Sequence, residues 1–192
     1  MQQVPNIKER ISLGIDPGTS IMGYGLIKET GSKIELISLG VVKMDKIDDH
    51  MLKLQRIFAK TVALIDNYKP DCLAIEAPFY GKNIQVMLKL GRAQGVAMAA
   101  ALSRDVEVTE YAPRKIKQSI TGNGNATKEQ VSAMMQRLLN FTETPDFLDA
   151  TDGLAVAVCH SFQKVSTAKT GSKKSYSGWD TFVKDNAKRV VK

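Results

Sequence analysis

At 192 residues and 43% hydrophobic content the chain is long enough to bury one full-sized core with a residual segment, and too short for two. Its 27 basic and 20 acidic residues give a net charge of +7, of which residues 164–192, with 8 Lys/Arg and 2 Asp/Glu, carry most. No apolar run approaches the roughly 18 residues that span a bilayer, the first fifteen residues with Glu9 and Arg10 do not read as a signal peptide, and Cys72 and Cys159 lack zinc or disulfide spacing; the expectation is a cytoplasmic protein with no membrane partner.

In chain order, residues 1–10 read as an N-terminal extension. Residues 11–16 and 22–28 read as strands joined by Pro17-Gly18-Thr19-Ser20, with a third strand at 34–43. Short connections make these three an antiparallel meander. Apolar residues at 51, 54, 58, 62 and 65 predict a helix over about 48–68 that stops before Pro70. Residues 71–76 form a short buried strand, 83–103 a helix rich in Ala and Gly, and 106–111 a further strand. Pro113 opens a short helix that Gly122 stops. Thr127-Lys-Glu-Gln130 has the capping-box pattern for a helix to about 140, and 146–163 form a last apolar helix. The order β-β-β-α-β-α-β-α-α predicts an α/β fold, a mixed five-stranded sheet of three antiparallel strands followed by parallel additions and flanked by helices. From 164 to 192 Ser, Thr, Lys and Gly dominate, which predicts a basic, flexible tail, with Trp179, Phe182, Val183 and Val190 able to form a weak amphipathic turn.

Four carboxylates interrupt apolar segments: Asp16 in Ile-Asp-Pro-Gly, Glu76 in Ala-Ile-Glu-Ala, and Asp149 and Asp152 in Leu-Asp-Ala-Thr-Asp-Gly-Leu-Ala. An acid among groups that cannot solvate it is costly unless a positive charge compensates it, so these intrusions point to one shared cation site. Asp16 and Glu76 end strands, and Asp149 and Asp152, three apart, share a helix face. Hard oxygen donors without His or Cys favour Mg²⁺ or Mn²⁺ over zinc. Two such ions about 3.5–4 Å apart would suit hydrolysis of a phosphodiester. Taken singly, Asp16 reads more often as a strand-end turn former, Glu76 as a paired structural acid and Asp149 as a helix N-terminal acid; Asp152 is harder to explain that way, since Leu154 to Val158 leave its helix no polar face. A basic pI near 9.4 suits nucleic acid as well as simple solubility. His50 and His160 lack a nucleophile partner and read as surface or satisfied helix residues.

The stretches Gly14-Ile-Asp-Pro-Gly-Thr-Ser20, Met22-Gly-Tyr-Gly-Leu26, Ala74-Ile-Glu76 with Phe79 and Lys82-Asn83, Leu88-Lys-Leu-Gly-Arg-Ala-Gln-Gly-Val96, Lys117-Gln118 with Gly122-Asn-Gly124 and Lys128, and Asp149-Ala-Thr-Asp152-Gly-Leu-Ala occur in one order from about 11 to 163. This pattern resembles the RuvC-type Holliday junction resolvases of the RNase H-like superfamily. The resemblance implies that 11–163 are the nuclease domain, and that Asp16, Glu76, Asp149 and Asp152 are catalytic acids holding two Mg²⁺ ions, with Mn²⁺ able to substitute. It further implies that Phe79 stacks on an unpaired base at the junction and that Lys117 and Lys128 stand by the scissile phosphate. Lys82, Asn83, Arg114 and Lys115 are expected as further DNA contacts. The expected activity is paired symmetric nicking of four-way DNA junctions, leaving 5′-phosphate and 3′-hydroxyl ends, in recombination and repair.

A junction with approximate two-fold symmetry calls for two symmetric active sites, hence a homodimer. The small residues of 91–101 suit close packing on a partner helix or on the chain's own sheet. The resemblance also implies cooperation with the RuvA and RuvB branch-migration proteins. Two other readings stand beside it: an actin-like ATPase, whose first phosphate loop resembles Gly14–Ser20 but which needs two related domains, and a non-catalytic junction-binding scaffold.

Overall fold

The computed structural model describes residues 9–78, 83–142 and 148–169, with side chains as far as 163 in the last segment. Five strands form one sheet in the order β3-β2-β1-β4-β5: β1 (Glu9–Asp16), β2 (Ile21–Thr30), β3 (Lys33–Lys43), β4 (Cys72–Glu76) and β5 (Glu107–Tyr111). The first three pair antiparallel, and β4 joins β1, and β5 joins β4, in parallel. This is the mixed sheet expected from the short early connections and the later helical crossovers. Central β1 is buried from Ser12 to Ile15 and β4 from Cys72 to Ile75, whereas edge strand β3 alternates between exposed Lys33, Glu35 and Ile37 and half-buried Ile34, Leu36 and Ser38. Glu9 and Arg10 pair with Thr30 and Glu29, so β1 begins two residues before the sequence pattern predicts.

Helices α1 (His50–Tyr68) and α2 (Ile84–Leu102) cover one face. Helices α3 (Pro113–Thr121), α4 (Lys128–Leu139) and α5 (Leu148–Lys169) cover the other. Local chemistry sets their ends. Pro113 sits in the first turn of α3, and Gly122 closes it at φ 76°, a left-handed conformation that a side chain would strain. Thr127 and Gln130 form the reciprocal capping box of α4. The last helix runs to Lys169, six residues into the segment whose composition predicts a tail. Among the described residues no helix is long and apolar enough to cross a membrane.

Alternation along the strands decides what meets α5. Leu13 and Ile15 of β1 point into the core shared with α1 and α2, so Gly14 and Asp16 point the opposite way, toward α5. Likewise Leu73 and Ile75 of β4 face α1 and α2, which turns Ala74 and Glu76 to the α5 side. On β2, Gly23 and Gly25 pair with Asp16 and Gly14. The result is a floor of glycines on which α5 lies with its backbone against the sheet. A Cβ at Gly23 would collide with the carbonyl of Asp149, one at Gly14 with the carbonyl of Gly153, and one at Gly25 with Leu154. Gly153 reciprocates: its own Cβ would stand 2.5 Å from the Tyr24 amide nitrogen.

Because backbone cannot yield as a side-chain end can, Gly23→Ala is expected to lower stability by at least ~2 kcal/mol, at the upper part of the overpacking range. For a chain of this size that corresponds to about 4–8 °C in Tm. A melt within 1 °C of the unsubstituted protein would show that α5 can shift without cost.

Candidate active site

The C-terminal ends of β1, β4 and β5, the start of β2 and the end of β3 all fall on one rim of the sheet, because β1, β3, β4 and β5 run the same way and β2 opposes them. Asp16 and Glu76 therefore end adjacent parallel strands, one register step beyond the Ile15–Ile75 pair. The glycine floor brings the first turns of α5 over the same rim. Carboxylate oxygens of Asp16, Asp149 and Asp152 lie within 4.8 Å of one another, a grouping able to hold a metal ion. Asp149 and Asp152, three residues apart, present one helix face, as their spacing predicts. Glu76 stands outside this tight triple but feels the charges of Asp16 and Asp152.

Lys128 completes the cluster from α4. Its Nζ donates to Asp149 Oδ1 at 2.8 Å and approaches Asp152 Oδ2 at 2.6 Å. The Thr127–Gln130 capping box fixes where α4 starts and so places Lys128 in its first position. Burial works against the Lys128 ammonium, yet its hydrogen bonds to Asp149 and Asp152 outweigh that cost and hold it charged well above the ordinary lysine range. Lys117 on α3 is half-buried, and its charge reaches Glu76 and Asp152.

Asp16, Glu76 and Asp152 are all held above the ordinary carboxylate range, by burial first. Burial, then the charges of Asp152 and Asp149, push Asp16 up to about 6, against the opposing pull of Lys128. Burial, then Asp16 and Asp152, push Glu76 up to about 8, although Lys128 and Lys117 oppose the rise. Asp152 is raised by burial in spite of its bond to Lys128. Burial and the acids' mutual repulsion thus outweigh the Lys128 ammonium at Asp16, Glu76 and Asp152. A divalent cation held by oxygen donors alone fits both the charge deficit and the donor set.

The remaining expected site residues divide. Arg114 and Lys115 are exposed on α3, and the Arg114 side chain packs over Gly124. Asn83 caps α2, its Oδ1 accepting from the Val86 amide at 3.2 Å, so the cap engages part of a side chain expected at DNA. Phe79 and Lys82 lie outside the described residues, as do Trp179, Phe182, Val183 and Val190.

Two supports of the site escaped sequence reasoning. Gln94, buried in the Ala-rich α2, donates to Glu110 Oε2 at 2.8 Å and reaches the Glu76 carbonyl at 3.4 Å, so it ties that helix to the end of β4. An amide inside an otherwise apolar helix face was its visible signal. His160 is 2% exposed on α5, with Nδ1 2.8 Å from the Tyr111 hydroxyl and Nε2 3.3 Å from Arg10 Nη2. Since a guanidinium only donates, Nε2 accepts and the proton sits on Nδ1, donating to Tyr111. This satisfied histidine locks α5 to β1 and β5. No spacing rule joins residues 10, 111 and 160.

Fold and site together define a nuclease of the RNase H-like kind, with a carboxylate centre on the sheet rim. The family model described as "Crossover junction endodeoxyribonuclease RuvC" matches residues 12–160. A protein of that description from Christiangramia forsetii is 60% identical over 182 residues, covering 95% of this chain and 93% of its own length. One from Bacteroides fragilis is 56% identical over 186 residues, with 96% and 97% covered. Among solved structures, Thermus thermophilus RuvC in complex with a Holliday junction substrate superposes with a TM-score of 0.76 at 30% identity, over 82% of this chain and 96% of that one. The chain belongs to the RuvC family of crossover junction endodeoxyribonucleases. With that family comes the use of a divalent metal, and Asp16, Asp149 and Asp152 form a grouping that could hold one.

The raised acids predict how the metal-free protein responds to pH. A carboxyl whose folded value exceeds its unfolded one stabilises the fold at low pH, and that contribution is lost as pH rises through the folded value. Glu76, shifted from 4.5 to about 8, and Asp16, from 3.8 to about 6, should therefore make the chelator-treated protein lose stability between pH 4 and pH 8. Glu76→Gln is expected to flatten that slope and to raise the metal-free Tm at pH 8 by at least ~2–4 °C, the shift for about 1 kcal/mol. Thermal melts in EDTA across this range check it; an unchanged slope in the variant would contradict the placement of Glu76 among like charges.

Proposed function

We propose that this chain is the family's junction resolvase in full: a structure-selective, Mg²⁺-dependent endonuclease that cuts four-way DNA junctions by paired symmetric nicks. The observation that carries this reading is the convergence of Asp16, Asp149 and Asp152 within 4.8 Å, bridged by the Lys128 ammonium. Asp16, Glu76, Asp149 and Asp152 would hold two Mg²⁺ ions, with Mn²⁺ able to substitute. When bound, these ions supply Lewis acidity at the phosphate and a water acidified for attack.

The chain's own residues then have defined tasks. The four carboxylates fix the scissile phosphate at the rim by holding its counter-charges. Lys128 and Lys117 face the same point, and a compact ammonium there offsets charge that builds on the phosphate oxygens in the transition state. Water adds to phosphorus, the P–O3′ bond breaks, and the strand ends as a 5′-phosphate and a 3′-hydroxyl that has taken up a proton. Phe79, two residues beyond the half-buried Ala77, would stack on an unpaired base near the cut, and Lys82, Asn83, Arg114 and Lys115 would hold neighbouring phosphates.

Cutting two strands symmetrically needs two copies. The outward face of α2 supports a homodimer: Ile84, Leu88 and Leu102 are 72%, 51% and 60% exposed, and between them Gly91 and Gly95 have nothing within 4 Å of where a Cβ would stand. Their spacing is helical, so they form one stripe on which a second α2 can approach closely. The inward face, with Ala93, Ala97, Ala100 and Ala101, packs on the chain's own core, so the small residues of this helix serve both surfaces. The enzyme would work in the cytoplasm on junctions delivered by the RuvA and RuvB branch-migration proteins.

Two measurements test this. With Mg²⁺, purified protein should cut a synthetic four-way junction and spare linear duplex of the same sequence, and Asp152→Asn should cut at least ~10²-fold more slowly, the scale on which a transition-state electrostatic contact acts, while still binding. Equal cutting of both DNAs, or normal cutting by the variant, refutes the assignment. Separately, Gly95→Arg should convert dimer to monomer in sedimentation and abolish paired nicking; a dimer that persists would place the two-fold contact elsewhere.

A further inference from the structure

On the same rim as the acids, at the opposite flank from β5, lies a cleft of about 550 Å³ that none of the site residues lines. Its floor is Ile21 and Ile47, and three cations converge on it: Lys43 from the end of β3, Lys46 from the turn that follows, and Arg56 from the second turn of α1. Asp45 offsets one of the three charges. Among the described residues neither Lys46 nor Arg56 forms an ion pair, although Lys46 has Asp45 and Asp48 beside it in sequence. Lys46 and Arg56, cations in a concave site with no ion pair among the described residues, focus a positive potential there and favour an external anion.

The sheet fixes where that anion lies relative to the catalytic centre. Ile21 pairs with Lys43, and Gly23 pairs with both Asp16 and Val41, so Lys43 stands on the same sheet face as Asp16, two strands away. At the spacing between neighbouring strands that is roughly 10 Å along the rim. The cleft also borders Ser20, in the turn that leaves Asp16, with the Met44 amide bonded to the Ser20 carbonyl at 2.7 Å. We infer that Lys43, Lys46 and Arg56 form a phosphate-binding subsite for the DNA strand being cut, engaging a backbone phosphate two to four nucleotides from the scissile one. The interval follows from ~10 Å at a rise of ~3.4 Å per nucleotide. This rests on the junction-cutting function proposed above and extends it to how the cut strand is aligned across the rim.

A synthetic junction bearing single methylphosphonates, which remove one phosphate charge each, tests this in EDTA, where DNA binds without being cut. Lys46→Gln/Arg56→Gln is expected to weaken binding of the unmodified junction about tenfold and to make the salt dependence shallower by about 0.9, as for one lost phosphate contact. The unsubstituted protein should show the same loss when the neutral linkage lies two to four nucleotides from the cut, and the double variant should lose nothing further there. Lys33→Gln/Lys69→Gln, an equal charge change at the far rim, is the control and should leave the slope unaltered. Wild-type affinity in the double variant, an equal loss in the control, or losses that multiply at every methylphosphonate position each overturn the subsite while leaving junction cutting intact. Failure of the unsubstituted protein to prefer the junction over duplex overturns both.

Discussion

The contact between α5 and the first hairpin sets nearly everything else in this molecule. A helix normally rests on a sheet through a layer of side chains, but here Gly14, Gly23 and Gly25 remove that layer from the sheet and Gly153 removes it from the helix. The backbones touch, and the helix from Leu154 to Cys159 is buried on all sides. Such proximity would be a liability in a helix with a polar face. In this chain it suits a segment that is apolar all round after its first turns. The two acids that precede the apolar run are thereby carried to the rim where β1 and β4 end.

That geometry creates an electrostatic problem that the protein solves only in part. Four carboxylates share a partly buried rim, and among the described residues Lys128 bridges two of them. Burial first, and the charges of the neighbouring acids second, displace Asp16 and Glu76 upward in spite of Lys128. A site held in this state is poised for a divalent cation and for a polyanion that brings cations with it. The stiffness needed to keep it so comes from behind: the Arg10–His160–Tyr111 chain fastens α5 to the strands, and Gln94 fastens the end of β4 to α2. Since α2 also presents the exposed apolar stripe, the helix proposed to meet a second copy is bonded to the strand that carries Glu76.

Much of this was legible in the chain. The strand and helix order followed from periodicity, and Pro113, Gly122 and the Thr127–Gln130 pair marked helix ends through local chemistry that needs no tertiary partner. The four acids stood out because each broke an apolar run. The motif order across 11–163 pointed to the family that the comparisons with relatives support. Glycines were harder to read: Gly23 and Gly25 stood within the strand at 22–28 and in the Met22–Leu26 motif with no sign of what they would meet, since absence of a side chain leaves no hydropathic mark. His160 likewise looked like any satisfied helix residue, because its partners come from positions 10 and 111.

The sequence by itself determined the elements, their order and the oxygen-donor chemistry of the site, because those depend on residue type and near-neighbour spacing. Only the tertiary structure decided that Asp16 joins Asp149 and Asp152 more tightly than Glu76 does, that Lys128 bridges the helix pair, and that Lys43, Lys46 and Arg56 converge on the same rim. Those relations span tens to more than a hundred residues of chain. Their distances are set by how closely two backbones can approach, a quantity fixed by packing.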